Sequence, residues 1–141
     1  MNRLKQAIGI TLLSVIAAFS HANDILNLDA YKGKVVYIDF WASWCGPCKE
    51  SFPWMKKIHQ QHQQDGLVII AVNVDQEQKL AEQFLQQFKP EFKVLFDGKG
   101  TLAEDFKVNS MPSSTLLTVK ANHVLNTKVF MATKLANMKP N

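Results

Sequence analysis

Uninterrupted apolar runs alternate along this chain with stretches whose apolar positions recur at helical spacing. Residues 35–41 are apolar, β-branched or aromatic apart from Asp39, and residues 67–74 form a second such run. A shorter run follows at 93–96. Two further strand-like segments, 114–119 and 124–130, mix apolar with polar residues and are joined by the polar turn Lys120, Ala121, Asn122 and His123. Runs of this length with no polar face read as strands buried on both sides. Between them, residues 45–64 read as a helix with Pro53 inside, where a proline removes one backbone bond and is expected to kink it. In 78–88, Leu80, Ala81, Phe84, Leu85 and Phe88 share one helical face, and Lys89-Pro90 stops it. Asp97-Gly98-Lys99-Gly100 is a turn, and 101–106 makes a helical turn or two. Strands alternating with helices predict an α/β sandwich, one central sheet with helices on both faces.

The first 22 residues stand apart from that pattern. Arg3 and Lys5 precede the twelve-residue apolar run from Ile8 to Phe19, and Ser20-His21-Ala22 is a small-x-small tripeptide. This is the layout of an export signal, with cleavage expected after Ala22. A membrane anchor needs about 20 apolar residues, so anchoring is expected only if this segment is retained. One domain is then expected over residues 23–141. Setting aside Arg3 and Lys5 leaves 14 basic against 12 acidic residues, a charge of +2. That balance argues against a nucleic-acid partner.

Candidate chemistry is concentrated in Trp41-Ala42-Ser43-Trp44-Cys45-Gly46-Pro47-Cys48-Lys49, which holds the only two cysteines of the chain. The pair falls where a buried strand hands over to a helix N-terminus, a place that favours an anion. Cys45 comes first and its sulfur can sit off the helix end, so the thiolate is expected there, with Cys48 one turn inside. Three readings compete: a redox pair, half of a zinc site, or a structural disulfide. Zinc needs four ligands. His59 and His62 are the nearest candidates, yet on one helix the 11 residues from Cys48 to His59 separate them by about 16 Å. A structural disulfide over so short a loop restrains the unfolded chain little. The redox pair is the favoured reading. Asp39, an acid inside an apolar strand, is either a strand end open to water or a buried carboxyl held protonated beyond its usual range. Lys34 is a candidate to tune it.

The segment from Asp39 to Lys49 resembles the active-site stretch of the thioredoxin superfamily, and its surroundings are similar to the exported TlpA/ResA/DsbE-type thiol-disulfide oxidoreductases. Tyr31-Lys32-Gly33-Lys34, the acidic strand end Val72-Asn73-Val74-Asp75, and Asn109-Ser110-Met111-Pro112-Ser113 fall in the family's order. The resemblance spans about residues 24–124. It implies a thioredoxin-like three-layer sandwich with a mixed central sheet, and an exported reductase of disulfides in other exported proteins, with cytochrome c maturation as one setting. Partners would be those disulfide-containing proteins and a membrane thiol-disulfide electron donor; no cofactor and no metal are implied. The alternatives are a thiol oxidase or isomerase, and a redox-silent module that binds extended peptides.

Carried onto this chain, the family pattern makes Cys45 the attacking sulfur, Cys48 the resolving one, and Asp39 the buried acid that exchanges a proton with Cys48. Gly46-Pro47 is the dipeptide of the reducing members. Met111-Pro112 is expected in the cis form facing the cysteines, leaving the Met111 backbone free to pair with substrate. Trp44, Gly46 and Pro47 would complete the substrate surface, while Trp41 reads as core. Two features depart from the pattern. Many members carry a glutamate three residues after the second cysteine, where this chain has Ser51. The C-terminal helix is expected to be shortened, within residues 133–138.

Overall fold

The structure, a computed structural model, describes residues 26–120 and the backbone of 124–129. The expected export signal, the domain boundary after Ala22 and the shortened C-terminal helix lie outside the described residues. A 3-10 turn, Leu28–Tyr31, leads into β1, Val35–Trp41. Then come α1 (Gly46–His62), β2 (Leu67–Asn73), α2 (Gln78–Phe88), β3 (Lys93–Phe96), α3 (Thr101–Asp105), β4 (Ser113–Val119) and β5 (Val124–Val129). The sheet runs in the order β3-β2-β1-β4-β5. β1 is parallel to β2 and β2 to β3, whereas β4 is antiparallel to both β1 and β5. This is the mixed sheet of a thioredoxin-like α/β sandwich.

Successive side chains of a strand point to opposite faces, and β1 uses this to build two cores. Tyr37 and Trp41 face α1 and α2, and pack with Phe52 and Met55 of α1, Ala81 and Phe84 of α2, and Phe92. Val36, Ile38 and Phe40 face the other way, toward Leu102 of α3, Leu117 and Val119 of β4, and the half-buried Tyr31 and Phe106. Phe52 is the hub of the first core, with ring centroids 4.9 Å from both Trp41 and Phe84. Aromatic pairs of this kind contribute about 0.5–1.5 kcal/mol each beyond simple burial, and here they fix the start of α1 against the end of β1.

Differences from the sequence expectation fall at element ends and at Pro53. α3 stops at Asp105, with Phe106 as its C-cap, and β4 begins one residue earlier than expected, at Ser113. α1 continues through Pro53 without interruption. The carbonyl left without its helical donor by Pro53 belongs to Lys49, on the exposed face.

Candidate active site

Trp41 ends β1, and its carbonyl accepts the Val74 N–H at 3.0 Å, so β1 and the chain after β2 leave the sheet together. A turn closed by Cys45 N–H to Ala42 O at 3.1 Å delivers Cys45 to the N-cap of α1. Pro47 sits in the first helical turn, where its missing N–H costs nothing. The Cys48 N–H donates to Cys45 Sγ at 3.2 Å, and the two cysteines are joined as a disulfide. Cys48 is wholly buried, whereas Cys45 keeps a sliver of exposure, 3%. In the dithiol the same N–H and the helix dipole would favour negative charge on Cys45. α1 is unbroken from Cys48 to His59, which sets them about 16 Å apart. Among the described residues no group of three or more His, Cys, Asp or Glu could hold a metal ion.

Asp39 lies within β1, two residues short of its cysteine end and 1% exposed, on the face that carries Tyr37 and Trp41. The strand-end reading is therefore set aside. Opposite it in the β1–β4 register stands Ser114. The Ser114 hydroxyl donates to Asp39 Oδ1 at 2.7 Å and accepts from the Tyr37 hydroxyl at 2.8 Å. Asp39 Oδ2 is buried and has no hydrogen-bond partner among the described residues. Burial pushes the Asp39 pKa up to about 7, against the Ser114 hydrogen bond, which lowers it. Lys34 takes no part: it is exposed at the foot of β1, five residues away, or about 16 Å along a strand.

A second buried acid holds the cysteine loop. Asp75 accepts the Ser43 N–H (2.9 Å) and the Asn73 side-chain amide (2.7 Å) on Oδ2, and the Ser43 hydroxyl (3.0 Å) on Oδ1. Asn73 Oδ1 in return accepts the Asp75 N–H at 3.0 Å. Gly98 backs the Asp75 main chain so closely that a Cβ there would lie 3.2 Å from its carbonyl. The sequence marked Asp75 only as an acid at a strand end. Its partner Ser43 is 32 residues away, so nothing local announces the tether.

Around the disulfide, Trp44 is 71% exposed and Gly46 and Pro47 are open to solvent. A Cβ on Gly46 would meet nothing within 4 Å. The Met111-Pro112 peptide is cis, as the family resemblance implied, and both residues are half-buried. Phe40 pairs with Ser113, so extending the register by one residue sets Pro112 beside Trp41, at the cysteine end of the sheet. Ser51, in place of the expected glutamate, donates its hydroxyl to the Cys48 carbonyl at 2.9 Å. The structure thus collects Cys45, Cys48, Asp39, Trp44, Gly46, Pro47, Met111 and Pro112 at one end of the sheet. It adds Ser114, Tyr37, Ser43, Asn73 and Asp75, which the sequence did not single out as site residues.

A family model described as Redoxin matches residues 17–131. The thiol-disulfide oxidoreductase ResA of Oceanobacillus iheyensis is 32% identical over 89 residues, covering 63% of this chain and 46% of that protein. The sporulation thiol-disulfide oxidoreductase A of Bacillus subtilis is 33% identical, covering 63% of this chain and 56% of that one. Among solved structures, a Chlorobium tepidum protein described as a thiol:disulfide interchange protein of the DsbE kind superposes with a TM-score of 0.65 and 42% identity, covering 70% of each chain. The chain spans about half the length of the curated relatives it matches.

Proposed function

The chain belongs to the Redoxin family, within the thioredoxin superfamily and beside its ResA- and DsbE-type members, and from that membership we propose that it is an exported thiol-disulfide oxidoreductase that reduces disulfides in other exported proteins. The observation that carries the reading is the N-cap position of Cys45, whose sulfur receives the Cys48 N–H while Cys48 is sealed beneath it. In the dithiol, the Cys45 thiolate attacks one sulfur of a substrate disulfide, and the other substrate sulfur leaves as a thiolate. Cys48 then gives its proton to Asp39 and attacks Cys45 Sγ. The second substrate sulfur is released as a thiolate and the Cys45–Cys48 disulfide forms. An external dithiol, supplied by a membrane electron donor, restores the reduced state. Trp44, Gly46 and Pro47 offer an open contact surface, and the Met111 backbone beside Pro112 is the place where an extended substrate would pair. Cytochrome c maturation is one process that needs such a reductant.

The test is a pair of variants of the full chain made in the exporting cell. Cys48→Ser should accumulate mixed disulfides through Cys45, and Cys45→Ser should accumulate none. Equal trapping by both would overturn the assignment of roles. Equilibration of the wild type with a glutathione buffer sets the direction: a reductase lies well on the reducing side of the glutathione couple, and an oxidase on the other.

A further inference from the structure

We propose that Tyr37 and Ser114 are positioning residues for the dithiol chemistry: their two hydroxyls hold Asp39 by Oδ1 alone and so dedicate Oδ2 to carrying the proton exchanged with the cysteine pair. The inference rests on the thiol-disulfide reading above and adds two residues to it.

Counting hydroxyl protons fixes the direction of the chain. A serine or tyrosine hydroxyl has one proton to donate. If the Ser114 proton goes to Asp39 Oδ1 at 2.7 Å, then the 2.8 Å bond between Ser114 and Tyr37 is made with the Tyr37 proton. The reverse order would have a protonated Oδ1 donate to Ser114 and Ser114 donate to Tyr37. The buried Tyr37 O–H would then lose its acceptor, at the cost of an unsatisfied donor. Burial, together with the Asp39 charge beside it, holds the Tyr37 proton more tightly than usual, so Tyr37 stays a donor at every working pH. With Oδ1 already accepting, a proton taken up by Asp39 goes to Oδ2, the oxygen that the fold leaves without a partner.

The sheet explains why these three residues meet. Ser114 is directly opposite Asp39, and Tyr37, two residues earlier on the same face, reaches it along the diagonal. The groups that face Asp39 are these two hydroxyls and, across from it on β2, Ala71, while the cysteine pair belongs to the core on the same side of β1 as Tyr37 and Trp41. Among the described residues no cation enters the balance: burial opposes the charged form and the Ser114 bond favours it. Ser114 is thus the one described side chain that eases Asp39 ionisation. In the proposed step Cys48 loses its proton to Oδ2 as its sulfur bonds to Cys45, and Oδ2 later returns that proton to solvent.

The experiment follows the Asp39 carboxyl directly, by 13C NMR titration of the full-length reduced protein, alongside the pH dependence of resolution of a Cys45–glutathione mixed disulfide. Ser114→Ala should raise both midpoints by about one to two pH units, the worth of one hydrogen bond to a charged group. Tyr37→Phe should shift them the same way by less, and Ser114→Thr, which restores a hydroxyl, should return them to the wild-type value. Midpoints in Ser114→Ala that coincide with wild type would overturn the proposal. So would a Tyr37→Phe profile with no shift, which also serves if Ser114→Ala does not fold. If wild type resolves no mixed disulfide at all, the functional reading falls, while the carboxyl titration still decides the relay.

Discussion

Two carboxyl groups lie buried at the cysteine end of the sheet, Asp39 on β1 and Asp75 just past the end of β2, and the protein treats them in opposite ways. Asp75 accepts three hydrogen bonds, one of them from a backbone N–H, and every one ties it to the loop before Cys45 or to the strand beside it. Asp39 accepts one and keeps a bare oxygen in the core. A carboxyl surrounded by donors organises the backbone that supplies them. One given a single donor in a dry pocket is easily neutralised. The contrast teaches that burial alone does not mark a working acid; the count of donors does. Asp75 builds the site, and Asp39 is left able to change charge within it.

The sharpest way to break that contrast is Asp39→Asn, which keeps the shape and the acceptor for Ser114 but cannot ionise. The folded pKa, about 7, is above the ordinary 3.8. The native state therefore holds its proton more tightly than the unfolded chain. Stability from this group is complete below pH 4, is lost as pH rises toward 7, and levels off above. A shift of this size corresponds to roughly 4 kcal/mol. In urea unfolding, Asp39→Asn should match wild type near pH 4 and exceed it by several kcal/mol at pH 8, while resolution by Cys48 slows. A variant less stable than wild type at pH 8 would contradict the assignment of Asp39 as a costly buried charge.

Asp75→Ala should do the reverse. It strands the Ser43 N–H, the Ser43 hydroxyl and the Asn73 amide, and should cost roughly 3 kcal/mol at pH 7. Because the tether places Ala42 to Trp44, thiol-disulfide exchange should also fall, by about tenfold, as the cysteine turn loosens. Denaturant melts with an exchange assay on the same samples check both. Unchanged exchange in a destabilised protein would confine Asp75 to the fold.

Much of this arrangement was legible in the sequence, and the limit is physical. β1 could be read because seven residues carry one polar side chain, and α2 because its apolar residues keep a helical period over its whole length. Cys45, Cys48 and Asp39 announce themselves by chemistry at odd places: two thiols at a helix start, one acid in an apolar strand. Ser114 and Tyr37 do not. A serine or tyrosine in a strand is ordinary until the β1–β4 register sets it beside Asp39, and register is a property of the assembled sheet. Lys34 is close to Asp39 along the chain, yet an extended strand carries it away. The ends of α3 and β4 slipped by one residue because short elements end on caps and pairings rather than on pattern.

The smallest expected effect also separates the two acids most cleanly. Ser43→Ala removes the hydroxyl bond to Asp75 Oδ1 and leaves the backbone bond to Oδ2 in place. Ser43 is half-buried, so water can replace part of what is lost. The cost should be about 1 kcal/mol, or about 4 °C in Tm for a domain of this size. In the Asp75→Ala background the same substitution should cost nothing, because its partner is gone; the difference between the two backgrounds is the coupling between the residues. Thermal melts of the four proteins give it. A Ser43→Ala penalty that survives the loss of Asp75 would mean that Ser43 answers to another group, such as Asp39 or the helix start, and that the two acids are not separate.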